Sequence, residues 1–482
     1  MSKEIEKQTK KGLIWDFTGS LLRQFAGMFI TIILARLLTP EEFGVIGMAL
    51  VFVTITDVFI DVGFTSGLIQ QQETKDITYS SIFYVNLTIS ILLSGVIMLA
   101  APYVSVFYNE PKIETILMYL AIIPIIAALG KVQSTILSKQ MNFRSLTIRT
   151  VGATVVGGIA GVIGAFCGMG VYSLVLQQIF TVLTSTILLW FSTGWKPKLE
   201  FSWPEVKGLL GYSSYIFLDS IIRQVFNRID TIFVGKYFSS ATLGFYSRAE
   251  SLRAQIDAYA SNSLRKVMFP VLSSLQEDND AFKRVYLKVF NISSALTVLL
   301  IGPIYFLSDK IIIGLFGAKW EPSIIFFQIL LFTTLTTPQT GMMVQAVLAK
   351  GFSKLRFQMG LIHRFLKLAP MVFGVLYGIV EFSIAVVAAA TLMFFIYAYV
   401  MRSKFEIGFM KQVKELLIPG IVFFLFVVIF HVFKEYINVW VYAAAFFAGN
   451  ILFLKLIKHE SFFILQNNFK KITSRISKFK NR

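Results

Sequence analysis

Two stretches of the chain, FTGSLLRQ at residues 17–24 and FLDSIIRQ at residues 217–224, share the pattern Ser-x-x-Arg-Gln at an offset of 200 residues. At that offset, residues 12–49 align with residues 212–249 without a gap, and 8 of the 38 positions are identical. Chance identities are common between apolar helices, but charged residues are rare inside membrane helices. The shared Arg-Gln pair therefore indicates an internal repeat.

The composition around the repeat is that of an integral membrane protein. Of the 482 residues, 56% are hydrophobic and only 15% are charged, whereas soluble proteins carry about 25% charged residues. The charges are mostly basic, with 45 Lys plus Arg against 27 Asp plus Glu and a net charge of +18. These values exclude an ordinary soluble enzyme and a disordered chain.

Apolar segments of membrane-spanning length fill nearly the whole chain. A helix needs about 20 mostly apolar residues to cross a bilayer. Fourteen candidate segments are present, and the connections between them are too short to hold a soluble catalytic domain. The segments are residues 14–38, 43–69, 79–101, 113–138, 148–168, 170–193, 209–236, 243–273, 285–308, 322–349, 361–380, 382–401, 415–433 and 437–457.

The distribution of basic residues gives the orientation, because cytoplasmic loops are enriched in lysine and arginine. With the N-terminus inside, 29 basic residues lie on the inner side and 6 on the outer side. The eighth segment, residues 243–273, is polar enough to suggest a surface helix, but without it the basic residues downstream would fall outside. We therefore predict an all-α membrane protein of about 14 transmembrane helices with both termini in the cytoplasm.

The repeat divides this fold into two related lobes. Each copy opens a set of six spans from the cytoplasmic side, so the repeats are parallel and related by a pseudo-twofold axis along the membrane normal. We predict an N-lobe at residues 1–195, a C-lobe at residues 196–405 and two further spans at residues 406–458. Residues 459–482 alternate basic and apolar positions, which predicts an amphipathic cytoplasmic tail lying on anionic lipid.

Charged side chains inside the spans are the candidate functional residues. They cost free energy at mid-bilayer, so they normally face the bundle interior or a water-filled cavity. Helical periodicity places them on inward stripes of spans 1, 2, 7 and 8, which predicts a hydrated central cavity. The candidate substrate-binding residues are Arg23, Gln24, Arg223, Asn227, Tyr246 and Arg253. The candidate coupling or structural residues are Asp57, Asp61, Asp219, Asp230, Glu250 and Asp257.

The chemistry of these residues leaves two interpretations open. Arginine suits phosphate because its planar donor fork stays charged and binds oxygens in pairs. Alternatively, the arginines and acids only pair with each other and hold helices together, as the i, i+4 spacing of Asp219 with Arg223 and of Arg253 with Asp257 allows. Arg23 has no i, i+4 acid on its own helix, which makes it the better ligand candidate.

Other residue patterns have simpler interpretations. The glycines at positions 157, 158, 161, 164 and 168 have the small-residue spacing that allows close helix packing, and no lysine follows them as in a phosphate loop. The single cysteine, Cys167, and three scattered histidines form no evident metal site. We therefore predict no metal, no cofactor and, given the membrane context, no nucleic-acid partner.

Three strings carry a resemblance to a known family. They are ARLLTPEEFG at residues 35–44, GFYSRAE at residues 244–250 and FPVLSSLQED at residues 269–278. With the span count and the repeat, they resemble the Wzx-type oligosaccharide flippases of the polysaccharide transporter family. That family belongs to the superfamily that also holds multidrug extruders and lipid II flippases.

The resemblance implies a flippase, not an enzyme, in the bacterial inner membrane. Such proteins move an undecaprenyl-pyrophosphate-linked oligosaccharide to the periplasmic leaflet by alternating access, for O-antigen, capsule or exopolysaccharide assembly. The implied partners are the lipid-linked oligosaccharide, membrane lipids and the polysaccharide polymerase and chain-length machinery. The family's cationic cavity corresponds by position to Arg23, Arg223 and Arg253.

Two other functions stay open at this point. One is a cation-coupled multidrug antiporter of the same fold, in which Asp57, Asp61 and Asp257 would carry the coupling ion. The other is a membrane glycan polymerase or ligase, which usually needs a sizeable outward loop for its catalytic residues. The longest outward loops, around residues 102–112 and 309–321, are short, which disfavours the enzyme.

Overall fold

The computed structural model of the chain describes residues 3–61, 63–71, 73–433 and 438–457, together with residues 436, 459, 462 and 463. Within these residues the regular structure is helical, and no strand is present. The predicted all-α fold is therefore confirmed. Apart from three positions, the predicted amphipathic tail at residues 459–482 lies outside the described residues.

The chain divides into two compact units, Met1–Ser247 and Arg248–Arg482. The helices of the first unit are α1 (Lys3–Leu37), α2 (Pro40–Asp61), α3 (Phe64–Gln70), α4 (Asp76–Tyr108), α5 (Lys112–Leu120), α6 (Ile122–Lys139), α7 (Phe143–Phe166), α8 (Tyr172–Thr193), α9 (Trp203–Tyr237) and the start of α10 (Ser240–Ser273). The boundary between the units lies within α10, and the predicted lobes of residues 1–195 and 196–405 remain a prediction.

Within the described residues, the second unit contains the rest of α10 and nine further α-helices. They are α11 (Asn279–Phe306), α12 (Ser308–Phe316), α13 (Ser323–Leu331), α14 (Thr337–Ala349), α15 (Ser353–Leu366), α16 (Ala369–Tyr377), α17 (Ile379–Phe405), α18 (Phe409–Phe433) and α19 (Val439–Leu456). Short 3-10 turns at Ala318–Trp320 and Phe332–Leu335 precede and follow α13.

Eleven stretches of the described chain are long and apolar enough to cross a membrane. They correspond to the predicted spans except the seventh, eighth and tenth. Helices α9 and α10 occupy the positions of the seventh and eighth, at 35 and 34 residues, but carry more charge. The chain is thus a multi-pass membrane protein, and the count of 14 spans remains a prediction.

Several predicted spans are interrupted helices instead of continuous ones. The second is broken between α2 and α3, where Gly63 adopts the left-handed φ of 80°. The tenth is broken by the 3-10 turn Phe332–Leu335, which is followed by Pro338 in the first turn of α14. Proline cannot donate a backbone hydrogen bond and glycine tolerates left-handed backbone, so these residues set the positions of the breaks. Hydropathy does not detect such breaks because the flanking residues stay apolar.

Small residues allow close helix packing in both units. On α7, a Cβ at Gly157 would overlap the Thr181 side chain of α8, and one at Gly161 would press on Gln177. The predicted packing role is therefore confirmed for these two glycines, but not for Gly168, where an added Cβ would meet nothing within 4 Å and the backbone has a left-handed φ of 76°. In the second unit, Gly302 on α11 makes room for the ring of Phe446 on α19, within an aromatic core that also buries Phe306 and Phe423.

Candidate functional site: a polar cavity between α2 and α9

A polar cavity of about 410 Å³ lies in the first unit between α9 on one side and α2 with the start of α3 on the other. Its lining residues are Thr54, Asp57, Val58, Asp61, Gly63, Ser66, Phe217, Ser220, Arg223 and Gln224. Two of the predicted coupling acids, on α2, and one predicted substrate-binding arginine, on α9, thus line the same cavity. In a concave site, a few convergent polar groups fix the orientation of a ligand, and this cavity offers charged, hydroxyl and amide groups.

The α2 side of the cavity is built around the helix break. Asp61 ends α2, and its Oδ1 accepts hydrogen bonds from the backbone N–H of Thr65 at 3.0 Å and from its hydroxyl at 2.7 Å. The other carboxylate oxygen lies 3.5 Å from Nζ of Lys131 on α6. Asp61 therefore satisfies a donor that the break would otherwise leave without a partner.

The α9 side presents a cation. Arg223 donates a hydrogen bond to the Ser220 hydroxyl at 2.9 Å and lies 3.8 Å from the Asp219 carboxylate. The side chains of Arg223 and Asp219 are 57% and 43% exposed, so this ion pair is loose and solvated. The Arg223 guanidinium thus keeps donors available for a ligand.

Two contacts hold α9 against α2 across the cavity. The Gln224 side-chain amide donates to the backbone carbonyl of Thr54 at 3.1 Å. The rings of Phe59 and Phe217 meet edge to face, with centroids 5.5 Å apart. One polar and one aromatic contact therefore fix the spacing of the two walls.

Asp57 is the acid available to a ligand. It lies one turn before Asp61, is exposed, and lines the same cavity. Among the described residues its carboxylate makes no hydrogen bond or ion pair, although the charges of Lys131 and Arg228 act on it. A carboxylate in this position can accept hydrogen bonds from ligand hydroxyls.

A second polar cluster lies in the second unit, where Arg253 is fully engaged. Its guanidinium binds Glu250 through two hydrogen bonds, of 2.8 and 2.5 Å, and lies 3.6 Å from Asp257. It also donates to the Thr333 hydroxyl at 3.2 Å, within the 3-10 turn that interrupts the predicted tenth span. This geometry is that of the alternative interpretation, in which arginines and acids hold helices together.

The remaining predicted residues do not line the cavity. Arg23 and Gln24 lie on α1, with Arg23 exposed. Asn227 is exposed on α9, Asp230 is half-buried on the same helix, and Tyr246 is 4% exposed on α10. The predicted cavity was to be lined by spans 1, 2, 7 and 8, whereas the walls of this one come from the second and seventh.

Sequence reasoning missed several contributors to these clusters. Lys131 is a lone charge within an apolar stretch, and that isolation was the signal available for it. Thr54, Ser66 and Thr333 carry no signal at all, because serine and threonine are common in membrane helices. Their roles come from helix breaks and packing.

The chain is similar in sequence to proteins of known families. The model of a family described as polysaccharide biosynthesis protein matches residues 33–325. The succinoglycan biosynthesis transport protein ExoT of Rhizobium meliloti (strain 1021) is 25% identical over 302 residues, which are 61% of this chain and 60% of ExoT. The teichuronic acid biosynthesis protein TuaB of Bacillus subtilis (strain 168) is 21% identical over 73% of this chain and 74% of TuaB. The matched region thus spans less than two thirds of ExoT.

Two solved structures have the same fold. The lipid II flippase MurJ, in an inward closed conformation, superposes with a TM-score of 0.71 and 16% identity over 95% of this chain and 99% of MurJ. An inward-facing multidrug resistance MATE family transporter of the MOP superfamily gives a TM-score of 0.62 and 13% identity over 80% of this chain and 94% of the transporter. At such identities the likeness shows the fold alone.

Proposed function

Because the chain belongs to the family of polysaccharide biosynthesis proteins, we propose that it flips an undecaprenyl-pyrophosphate-linked oligosaccharide across the bacterial inner membrane by alternating access. The transported unit would supply O-antigen, capsule or exopolysaccharide assembly. ExoT and TuaB, which resemble the chain, are named for succinoglycan transport and teichuronic acid biosynthesis. The observation that carries the proposal is the polar cavity of α2 and α9.

The charges of the cavity suit the two parts of such a headgroup. Arg223 and the Ser220 hydroxyl offer donors on α9, where a pyrophosphate oxygen would bind. Asp57 on α2 offers an acceptor, which suits sugar hydroxyls and repels phosphate. The headgroup would therefore lie with its pyrophosphate toward Arg223 and its sugars toward Asp57.

The other charged residues have different proposed roles. Arg253 is bound to Glu250 and Asp257, so we assign it to holding α10 against the 3-10 turn that contains Thr333. Arg23 is exposed on α1 and remains a candidate for a second phosphate contact at another stage of transport. Asp61 serves as a structural acid at the helix break.

A multidrug antiporter is not favoured by these observations. The MATE family transporter shares the fold at 13% identity, whereas the matching family model describes polysaccharide biosynthesis proteins. ExoT is named as a transport protein, which supports a non-enzymatic role. We also propose that the protein works with a polysaccharide polymerase and chain-length proteins. Both of its termini would lie in the cytoplasm.

The experiment that tests the function is reconstitution in liposomes with a labelled undecaprenyl-pyrophosphate oligosaccharide. Appearance of the saccharide in the far leaflet is read by its accessibility to an impermeant saccharide-modifying reagent. We expect accessibility to rise with time only in vesicles that contain the protein, and more slowly with Arg223→Ala. Lys207→Ala, an exposed cation on the same helix away from the cavity, is the matched control. Equal rates in protein-containing and empty vesicles would contradict the proposal.

A further inference from the structure

Lys131 carries an ammonium group within a candidate membrane span. It lies near the midpoint of α6, within the span Lys112–Lys139, and only 34% of its side chain is exposed. A charge inside a membrane span costs free energy unless it is paired. Its partner is Asp61, whose Oδ2 lies 3.5 Å from Nζ.

A nearby positive charge keeps the Asp61 carboxylate ionised, and the ionised form is the better hydrogen-bond acceptor at the helix break. Its Oδ1 accepts two hydrogen bonds from Thr65, and an ionised carboxylate accepts such bonds better than a protonated one. The Thr65 hydroxyl lies 3.1 Å from that of Thr135, which is one turn after Lys131 on α6. The helix break is thus fastened to α6 by one ion pair and one pair of hydroxyls.

Without the Lys131 ammonium group, the space beside the Asp61 carboxylate would suit a monovalent cation. It offers a carboxylate and neighbouring hydroxyl oxygens, and hard cations prefer oxygen ligands. The ammonium of lysine is a compact point charge of the same sign, carried on a flexible stem. Lys131 and a free sodium ion are therefore alternative ways to neutralise Asp61.

We infer that Lys131 is a tethered counter-ion that replaces a free alkali cation at Asp61. Lys131 is then a positioning residue, since it acts on the cavity through Asp61 and through the wall residues Gly63 and Ser66 that follow the break. The consequence for transport rests on the proposed function: this acid couples no sodium ion. The occupancy of the site does not depend on transport and is tested separately.

The test measures thermal unfolding of the full-length purified protein in sodium chloride, potassium chloride and choline chloride at equal ionic strength. Wild type is expected to unfold at one temperature in all three salts. Lys131→Met keeps the length of the side chain and removes its charge. In choline chloride this variant is expected to unfold at a lower temperature than wild type. Sodium should raise its apparent Tm by on the order of 2 °C more than choline does, because only the folded state binds the ion.

Two further variants separate the inference from a general loss of stability. Lys131→Arg keeps the charge, and the pair Lys131→Met with Asp61→Asn removes both charges, so neither should respond to sodium. A Lys131→Met protein that unfolds at the same temperature in sodium and choline overturns the inference. So does a Lys131→Met protein that cannot be purified in sodium while the doubly neutral variant can.

Because unfolding is measured without substrate, the failure of this test is distinguishable from a failure of the proposed transport. If Lys131→Met shows the predicted sodium response but the wild type transports no lipid-linked saccharide, the counter-ion role of Lys131 stands and the proposed flippase function is wrong.

Discussion

Gly44 on α2 and Gly244 on α10 make reciprocal contacts with each other's helix starts. A Cβ at Gly44 would overlap the backbone carbonyl of Ser240, and a Cβ at Gly244 would overlap that of Pro40. Each pair of positions, 40 with 240 and 44 with 244, is separated by the 200 residues of the internal repeat. A twofold-related pair of helices would make this contact twice in the same way.

Gly44→Ala is expected to destabilise the protein. The added Cβ meets backbone atoms that cannot move aside, and overpacking of this kind costs about 1–3 kcal/mol. The measurement is the apparent Tm in detergent. Gly47→Ala is the matched control, because its Cβ would meet only the Leu243 side chain at an ordinary 3.8 Å. Alanine is the better helix former, so the control should be neutral or slightly stabilising; equal losses in both variants would argue against the close approach.

The Arg253 network makes a prediction about coupling between residues. Glu250→Gln and Arg253→Gln each remove an ion pair made by two hydrogen bonds, in which the arginine side chain is only 15% exposed. Each substitution should therefore lower the free energy of unfolding by about 2 kcal/mol. The double variant should cost clearly less than the sum of the two single losses, because the Glu250–Arg253 interaction that each single variant removes is lost only once. A double-mutant cycle of thermal or denaturant unfolding measures this. Strict additivity would mean that the two residues act independently.

Asp57→Asn should weaken recognition of the saccharide and leave folding intact. The Asp57 carboxylate makes no hydrogen bond or ion pair among the described residues, so its loss removes no structural contact. Losing a charged acceptor for sugar hydroxyls corresponds to about 1.5–3 kcal/mol, or at least a tenfold rise in the half-saturating substrate concentration. The reconstituted transport assay gives that concentration, and the Tm gives the control. An unchanged half-saturating concentration would remove Asp57 from the binding site.

Much of this fold can be predicted from the sequence, because the length and hydrophobicity of a segment decide whether it forms a membrane-spanning helix. Long apolar segments predict the helices, and the structure contains helices at those positions, including the charged α9 and α10. The helix breaks were missed, since Gly63 is a single permissive residue in an apolar run. The contact of Gly44 with Ser240 was missed as well, because a close approach depends on both helices at once.

In the candidate site, features within one helix could be predicted from the sequence, whereas contacts between helices could not. Helical periodicity indicates which face of α2 carries Asp57 and Asp61, and the structure places both on one cavity wall. Periodicity does not say which helix supplies the opposite wall, and the stripes predicted on α1 and α10 are not part of it. Lys131 was also missed as the partner of Asp61, because ion pairs between helices far apart in sequence depend on packing.

The most direct measurement of the central claim is the affinity of the purified protein for undecaprenyl-pyrophosphate oligosaccharide in nanodiscs. Wild type, Arg223→Ala and the control Lys207→Ala are compared at a fixed salt concentration. If the α2 and α9 cavity holds the pyrophosphate, the dissociation constant of Arg223→Ala should rise at least about tenfold, as expected for a lost hydrogen bond to a charged group, while Lys207→Ala should match wild type. Equal affinities in all three proteins would contradict the assignment of this cavity to the headgroup.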